Sequence, residues 1–273
     1  VPVGSDGFDR VVYINTKEFL MNSVKPVSVQ LYSLRNAAQQ DFRGMLKRVA
    51  EIGYKGVEPA GFYGLKPRKF RKMVNDLGMV VSSNHTDIRS SAQEMVDTAG
   101  ELGTTFMVGG FGGGEFADEG AIVRTAAVVA ERQAAAARAG VTLLLHNHWW
   151  EYECLPDGRM KIDLLVERCP GVQFELDIYW AANFGGNSSA AMVARHARRT
   201  PLLHIKDGML ERGGKMKAVG QGKVEIAGAI RAADPAVLQW LVMEADEFEG
   251  DMFDCVAESY AYLTGQGLAA GNK

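Results

Sequence analysis

Short apolar runs in this chain end again and again on side chains that can hold a metal or move a proton. The first ends near Gln30 and Tyr32, the second at Glu58 and the third at Asn84 and His85. Further along, one run ends in His146, Asn147 and His148 with Glu151 just beyond, and another ends at Asp177. The last two lead to His204, Lys206 and Asp207, and to Glu244 with Asp246. Four of the 5 histidines lie at such ends; His196 alone falls in a helical stretch. One histidine beside a strand is most often a hydrogen-bonded structural residue. So many ionisable groups together are costly to bury unless they pair or bind a metal.

Carboxylates mixed with imidazoles suit Mn²⁺, Mg²⁺, Co²⁺ or Zn²⁺, and the lack of cysteine ligands argues against a structural zinc site. Such an ion holds a hydroxyl and the adjacent carbonyl oxygen together. It stabilises the enediolate formed when the proton between them is removed. A carboxylate at the cavity wall is the base for that proton.

The elements that must position these groups repeat about eight times: a β-branched apolar run, a loop, then a stretch of helical period. Strand patterns fall at 27–32, 55–58, 79–84, 105–109, 141–146, 172–177, 202–205 and 241–244. Helical patterns fall at 41–52, 67–77, 91–102, 120–139, 164–168, 188–198, 226–233 and 254–264. This alternation demands parallel strands with right-handed crossovers, and eight units predict a closed (β/α)8 TIM barrel. In such a barrel the loops after the strands converge on one cavity, where the polar residues above lie. Gly53, Gly78, Gly103, Gly140 and Gly171 precede strands and are expected to cap helices in the left-handed conformation. No strand leads into a nucleotide-binding glycine pattern, and the glycines of 109–114 are expected to form a flexible loop. The expected organisation is an N-terminal extension over 1–25, the barrel over 26–268 and a tail over 269–273.

Four stretches and their order carry a resemblance. Val172-Gln-Phe-Glu-Leu-Asp177-Ile-Tyr-Trp180, Leu203-His204-Ile-Lys206-Asp207, Val219-Gly-Gln-Gly222 and Val242-Met-Glu244-Ala-Asp246 resemble the sugar phosphate isomerase/epimerase family. That family lies within the xylose isomerase-like barrels, the AP endonuclease superfamily, which also contains endonuclease IV. With Leu145-His146-Asn-His148-Trp-Trp-Glu151-Tyr the likeness covers roughly 26–268. It implies a divalent-metal-dependent isomerase or epimerase, or a related lyase or dehydratase, acting on a sugar or keto-sugar. In relatives one metal is held by Glu, Asp, His and Glu from the fifth to eighth strands, and Asp177, His204 and Glu244 match the last three. The implied cofactor is one divalent ion, Mn²⁺ first.

The fifth-strand ligand is where the chain departs from that pattern. Either His146 replaces the carboxylate, or Glu151 folds back from the loop to supply it. The expected set is Glu151, Asp177, His204 and Glu244, with His146 as the alternative first ligand and Glu151 and Glu244 as acid and base. Loss of one opposed Glu weakens a symmetric epimerisation and favours one-base isomerisation, dehydration or lysis. His85, His146, His148, Trp180 and Lys206 are expected to contact substrate. Trp149 and Trp150 are further candidates for stacking on a sugar ring, against the alternative of capping a hydrophobic core. Lys206 either neutralises an oxyanion or substrate phosphate, or pairs with its neighbour Asp207. Glu58 is expected beside a ligand or in the pocket wall, and 220–222 in a loop at the mouth.

Composition narrows the rest. The 273 residues are 47% hydrophobic and 23% charged with a net charge of −3, which suits a globular protein and provides no global attraction to nucleic acid. The basic stretch 66–72 is at helical spacing and reads as a solvated face. An endonuclease IV-like reaction needs three metals and more ligands, and xylose isomerase a larger two-metal site. A barrel that only binds sugar, or serves as an inactive partner subunit, is the rival from another class. The expected partner is a small carbohydrate, with neither nucleic acid nor membrane, and the expected assembly a homodimer or homotetramer. Three scattered cysteines fit a reducing compartment. The expected location is the cytoplasm, or the periplasm if a leader was removed from the irregular start.

Overall fold

The computed structural model describes residues 24–273. The extension expected over 1–25 therefore lies almost wholly outside the described residues. Strands form at β1 (Lys25–Gln30), β2 (Gly56–Glu58), β3 (Val80–Val81), β4 (Asn84–His85), β5 (Phe106–Gly109) and β6 (Thr142–His146). They continue with β7 (Phe174–Asp177), β8 (Leu202–Ile205), β9 (Asp207–Gly208), β10 (Met216–Lys217), β11 (Trp240–Met243) and β12 (Ala269–Ala270). The main sheet runs β3-β2-β1-β11-β8-β7-β6-β5-β4, every pair parallel. β3 and β4 stand at the two ends of that order and are joined in the chain by Ser82 and Ser83 alone. They are two pieces of one barrel strand, and the ring closes through them. The fold is a TIM barrel.

Alternation along the strands sorts side chains into two cores. Val27, Val29, Val57, Met107, Leu143, Leu145, Phe174, Leu176, Leu203, Ile205, Leu241 and Met243 face outward into the large core under the helices. Phe106, Val108, Leu144 and Leu202 face inward and pack with Trp240 to form a small dry floor inside the barrel. Gly56 makes room for that floor: a Cβ there would stand 3.0 Å from the Trp240 ring. Above it the inward positions turn polar, because β-alternation brings Gln30, Glu58, His146, Glu175, Asp177 and His204 into phase, all buried.

Helices cover the outside at Phe42–Ile52, Pro67–Asp76, Ala92–Leu102, Glu119–Ala137, Lys161–Arg168, Ser189–His196, Ile226–Ala232 and Met252–Gly265. Several begin where a side chain accepts an orphan backbone N–H, as Asp41, Ser91, Asp118, Ser188 and Asp251 do. Pro67 to Lys72 forms part of the helix Pro67–Asp76, with Arg68, Lys69, Arg71 and Lys72 exposed.

Two expectations need correction. Gly53, Gly78, Gly103 and Gly140 have positive φ, but Gly171 does not; its helix is ended by Cys169, whose N–H bonds Leu165. The 109–114 stretch is only partly loop, since Gly109 ends β5 and Gly113–Phe116 is a 3-10 turn. Gly109 and Gly110 serve close packing there: a Cβ on the first would meet Ile88 at 2.8 Å, and on the second the His146 carbonyl at 3.0 Å. Residues 269–273 are tied to the barrel. β12 pairs with β1, and Asn272 donates to the carbonyl oxygen of Gly53. Among the described residues no helix is long and apolar enough to cross a membrane.

Candidate metal centre and cavity

The C-terminal ends of four adjacent strands build the site. His146 ends β6, Asp177 ends β7, His204 lies in β8 and Glu244 follows β11. Each offers one ligand atom, and these atoms all lie within 4.8 Å of one another. All four residues are buried. His204 Nδ1 stands 3.0 Å from Glu244 Oε2 and 4.0 Å from Asp177 Oδ2.

Local structure fixes each group. Asp177 Oδ1 accepts the N–H groups of Tyr179 and Trp180, capping the short helix Ile178–Ala181 and leaving Oδ2 for the centre. The Asn147 side chain both accepts from the backbone N–H of Asp177 and donates to its carbonyl oxygen, clamping the ends of β6 and β7 together. Asp177 Oδ2 and His146 Nδ1 are buried without a hydrogen-bond partner, and the ring nitrogens of His204 face carboxylates. With Glu244 these groups make a donor set of two imidazoles and two carboxylates that fits a divalent cation.

Lys206, in phase with His204, brings a fixed charge into the same space. Its Nζ lies 2.7 Å from Glu244 Oε2, 3.1 Å from Asp246 Oδ2 and 3.2 Å from Asp177 Oδ2. The neighbour Asp207 is turned away; it accepts backbone N–H bonds from Gly208, Gly220, Gly222 and Val224. The 220–222 loop is therefore pinned by Asp207. Burial alone would raise the Glu244 carboxyl, but Lys206 and His204 hold it well below its usual range. Burial raises Asp177, which Lys206 and His204 partly offset.

Glu151 lies elsewhere. It is wholly buried, with Oε2 accepting the His148 backbone N–H at 2.9 Å, and it is not one of the four convergent residues. It lies within the 3-10 turn Trp150–Tyr152. Burial pushes its carboxyl up to about 8. The structure thus brings His146, and not Glu151, to Asp177, His204 and Glu244.

A cavity of about 300 Å³ opens above the centre, lined by Gln30, Tyr32, Ala60, His85, His146, His148, Lys206, Glu244 and Asp246. His85 turns Nδ1 to Glu58 Oε1 at 3.3 Å. Glu58 is also bound by Gln30 and by Ser83, so it supports the wall from beneath. His148 stacks on Trp150 with centroids 4.3 Å apart, and burial pulls its imidazole down to about 4. Trp180 is not among the lining residues; it sits against Trp149 at 5.1 Å and beneath Lys206 Nζ at 5.6 Å. His196 is buried in a helix against Phe174, away from the site.

The residue that the sequence reading left without a role is Glu175. It is fully buried, with Oε2 2.8 Å from His204 Nε2 and 3.7 Å from His146 Nδ1. Its signal was phase: Glu175 and Asp177 are two apart on one strand and must face the same side.

Comparison with known proteins agrees with this architecture. A sugar phosphate isomerase/epimerase from Parabacteroides distasonis aligns with a TM-score of 0.72 at 24% identity, over 91% of this chain and 96% of that one. An L-ribulose 3-epimerase aligns with a TM-score of 0.67 at 16% identity, over 89% and 94%. A probable 3-DHS dehydratase from Bacillus anthracis aligns with a TM-score of 0.65 at 14% identity, over 88% and 98%. At these identities the likeness is one of fold. A search of curated protein sequences gave no match. The profile of the xylose isomerase-like TIM barrels matches residues 46–250, and the chain belongs to that family.

Proposed function

We propose that this protein is a divalent-metal-dependent enzyme that abstracts a proton next to the carbonyl of a sugar or keto-sugar, as an isomerase, an epimerase or a related lyase or dehydratase. The observation that carries the reading is the convergence of His146, Asp177, His204 and Glu244 at the floor of the cavity. Held by these four side chains, a divalent ion, Mn²⁺ first, supplies Lewis-acid polarisation of a carbonyl.

Glu244 is the base, since its carboxylate lines the cavity beside the convergent side chains. The Lys206 ammonium faces the negative charge that develops on the substrate oxygen. His85, His148 and Gln30 provide hydrogen-bonding groups around the cavity, and Trp180 provides an aromatic face beneath Lys206. Glu151 is turned to the His148 backbone, so no second free carboxylate of that loop faces Glu244. This favours the one-base reactions, isomerisation and elimination, over a symmetric two-base epimerisation.

Elemental analysis of wild type and of His146→Ala, Glu151→Ala, Asp177→Ala and Glu244→Ala tests the centre. It is paired with NMR of keto-sugars incubated with the protein in D₂O. The expected result is about one metal per chain, lost from all variants except Glu151→Ala, and metal-dependent deuterium uptake beside the carbonyl. A wild type that binds sugar but takes up no metal and exchanges no proton is a sugar-binding barrel, and the proposal fails.

A further inference from the structure

We infer that Glu175 is a positioning residue for the metal centre: it fixes His204 by accepting the proton of its Nε2, and so directs Nδ1 to the ion. The inference rests on the metal reading above, and its argument is geometric. His204 is gripped on two sides, with Nε2 2.8 Å from Glu175 Oε2 and Nδ1 3.0 Å from Glu244 Oε2. A neutral imidazole carries one proton, so only one nitrogen can offer a lone pair to a cation. The nitrogen facing Glu244 and Asp177 is the one that converges with the other ligands; the nitrogen facing Glu175 must then keep the proton. A carboxylate on the far nitrogen of a ligand histidine fixes ring and tautomer and raises its basicity.

The place of Glu175 in the barrel explains why one carboxylate serves this layer. It pairs in register with His146 across β6 and β7, and Asp177, two residues on, pairs with His204. Glu175 therefore sits one layer below the centre, between the two imidazoles, 3.7 Å from His146 Nδ1. Directly beneath lies the dry floor of Phe106, Val108, Leu144 and Leu202. An apolar side chain at 175 would extend that floor, so an unpaired carboxylate there is unfavourable unless it has a donor to hold.

Glu58, His85 and Glu175 also approach one another closely enough to suggest a second ion. The partners already present speak against it. Glu58 Oε1 takes a 2.7 Å bond from Gln30, its Oε2 takes the Ser83 hydroxyl, and Glu175 Oε2 faces His204 Nε2. This group reads as the support of the upper centre.

The test compares wild type with Glu175→Gln by competitive Mn²⁺ titration against a chelator, by the visible spectrum of the Co²⁺-loaded proteins, and by the melting temperature without metal. The glutamine keeps shape and an acceptor oxygen but replaces the carboxyl group with an amide. The expected result is one metal per chain in both, an affinity about 10–100-fold weaker in the variant, a shifted Co²⁺ spectrum, and a metal-free melting temperature close to that of wild type. A second measurement needs no variant: in ¹¹³Cd-loaded wild type, His204 should show metal coupling at ¹⁵Nδ1 and a proton on Nε2. Coupling at Nε2 overturns the inference, as does unchanged affinity with an unchanged spectrum. Two metals in wild type and one in the variant would make Glu175 a ligand and overturn it as well. A wild type that takes up no metal sinks the proposed function and this inference together, whereas a metal-binding wild type indifferent to Glu175 sinks this inference alone.

Discussion

The ammonium of Lys206 stands 2.7 Å from the Glu244 carboxylate, and both side chains are buried. The same ammonium reaches Asp177 at 3.2 Å, so one protein cation neutralises part of the charge that a metal would also neutralise. Removing one partner of a buried pair costs about 3–5 kcal/mol. Lys206→Met should therefore lower the metal-free melting temperature by roughly 10 °C in a chain of this size. Mn²⁺ should raise the melting point of the variant more than that of wild type, because it fills the role left vacant. Scanning calorimetry with and without Mn²⁺ checks this, and equal metal-induced shifts would reject it.

Glu151 gives a pH signature. Burial holds its carboxyl at about 8 in the folded protein, above the ~4.3 of an unfolded chain. The folded state thus binds the proton more tightly. Its contribution to stability is complete below the unfolded value and is lost as pH rises towards 8. Relative to Glu151→Gln, wild type should lose on the order of 1.4 kcal/mol per pH unit across that window. Denaturant unfolding at pH 5, 6.5 and 8.5 measures it, and parallel stability profiles for the two proteins would show that Glu151 does not titrate in this way.

Asp207 collects four backbone N–H groups, two of them from Gly220 and Gly222. Asp207→Ala leaves these donors without their acceptor and should cost about 2–4 kcal/mol, given ~1–3 kcal/mol for each buried group left unsatisfied and some relief from water. Gly222→Ala should be comparably harmful, since its Cβ would stand 2.1 Å from Asp207 Oδ1 and 2.4 Å from the Gly208 nitrogen. Equilibrium unfolding of both variants is the check, and a loss under 0.5 kcal/mol in each would contradict the role given to this loop.

Trp180 lies beneath the Lys206 ammonium, which lines the cavity. If its ring stacks on substrate, Trp180→Leu should raise KM about 3- to 10-fold, the equivalent of ~0.6–1.4 kcal/mol, with little change in kcat. Steady-state kinetics on the sugar that shows proton exchange decides it; a fall in kcat alone would place Trp180 in the support of Asp177.

Most of the barrel was legible because strand alternation and helix period are local signals. The 202–205 and 226–233 segments were read to within a residue of their observed ends. Asp177, His204 and Glu244 were legible by their place at strand ends. The contest between His146 and Glu151 was not, because it turns on whether 150–152 reverses direction, and the chain closes a 3-10 turn there instead. The partners of Lys206 were equally hidden. Asp207 is adjacent in sequence, but alternation sends it to the opposite face, and its carboxylate is claimed by a loop 13 to 17 residues away.

The pairing of β1 with β11 also sets a timetable. Val27 finds Leu241, and the Ser33 hydroxyl accepts the N–H of Ala245 across 212 residues of chain. During synthesis the edge of β1 therefore waits roughly 10–40 s for its neighbour at ordinary elongation rates. Throughout that delay it is an open strand edge, a template for the wrong partner as well as the right one. Glu244 arrives with the same closing strand. His146, Asp177 and His204 are synthesised before Glu244, and the four can converge only once the segment that follows β11 is made.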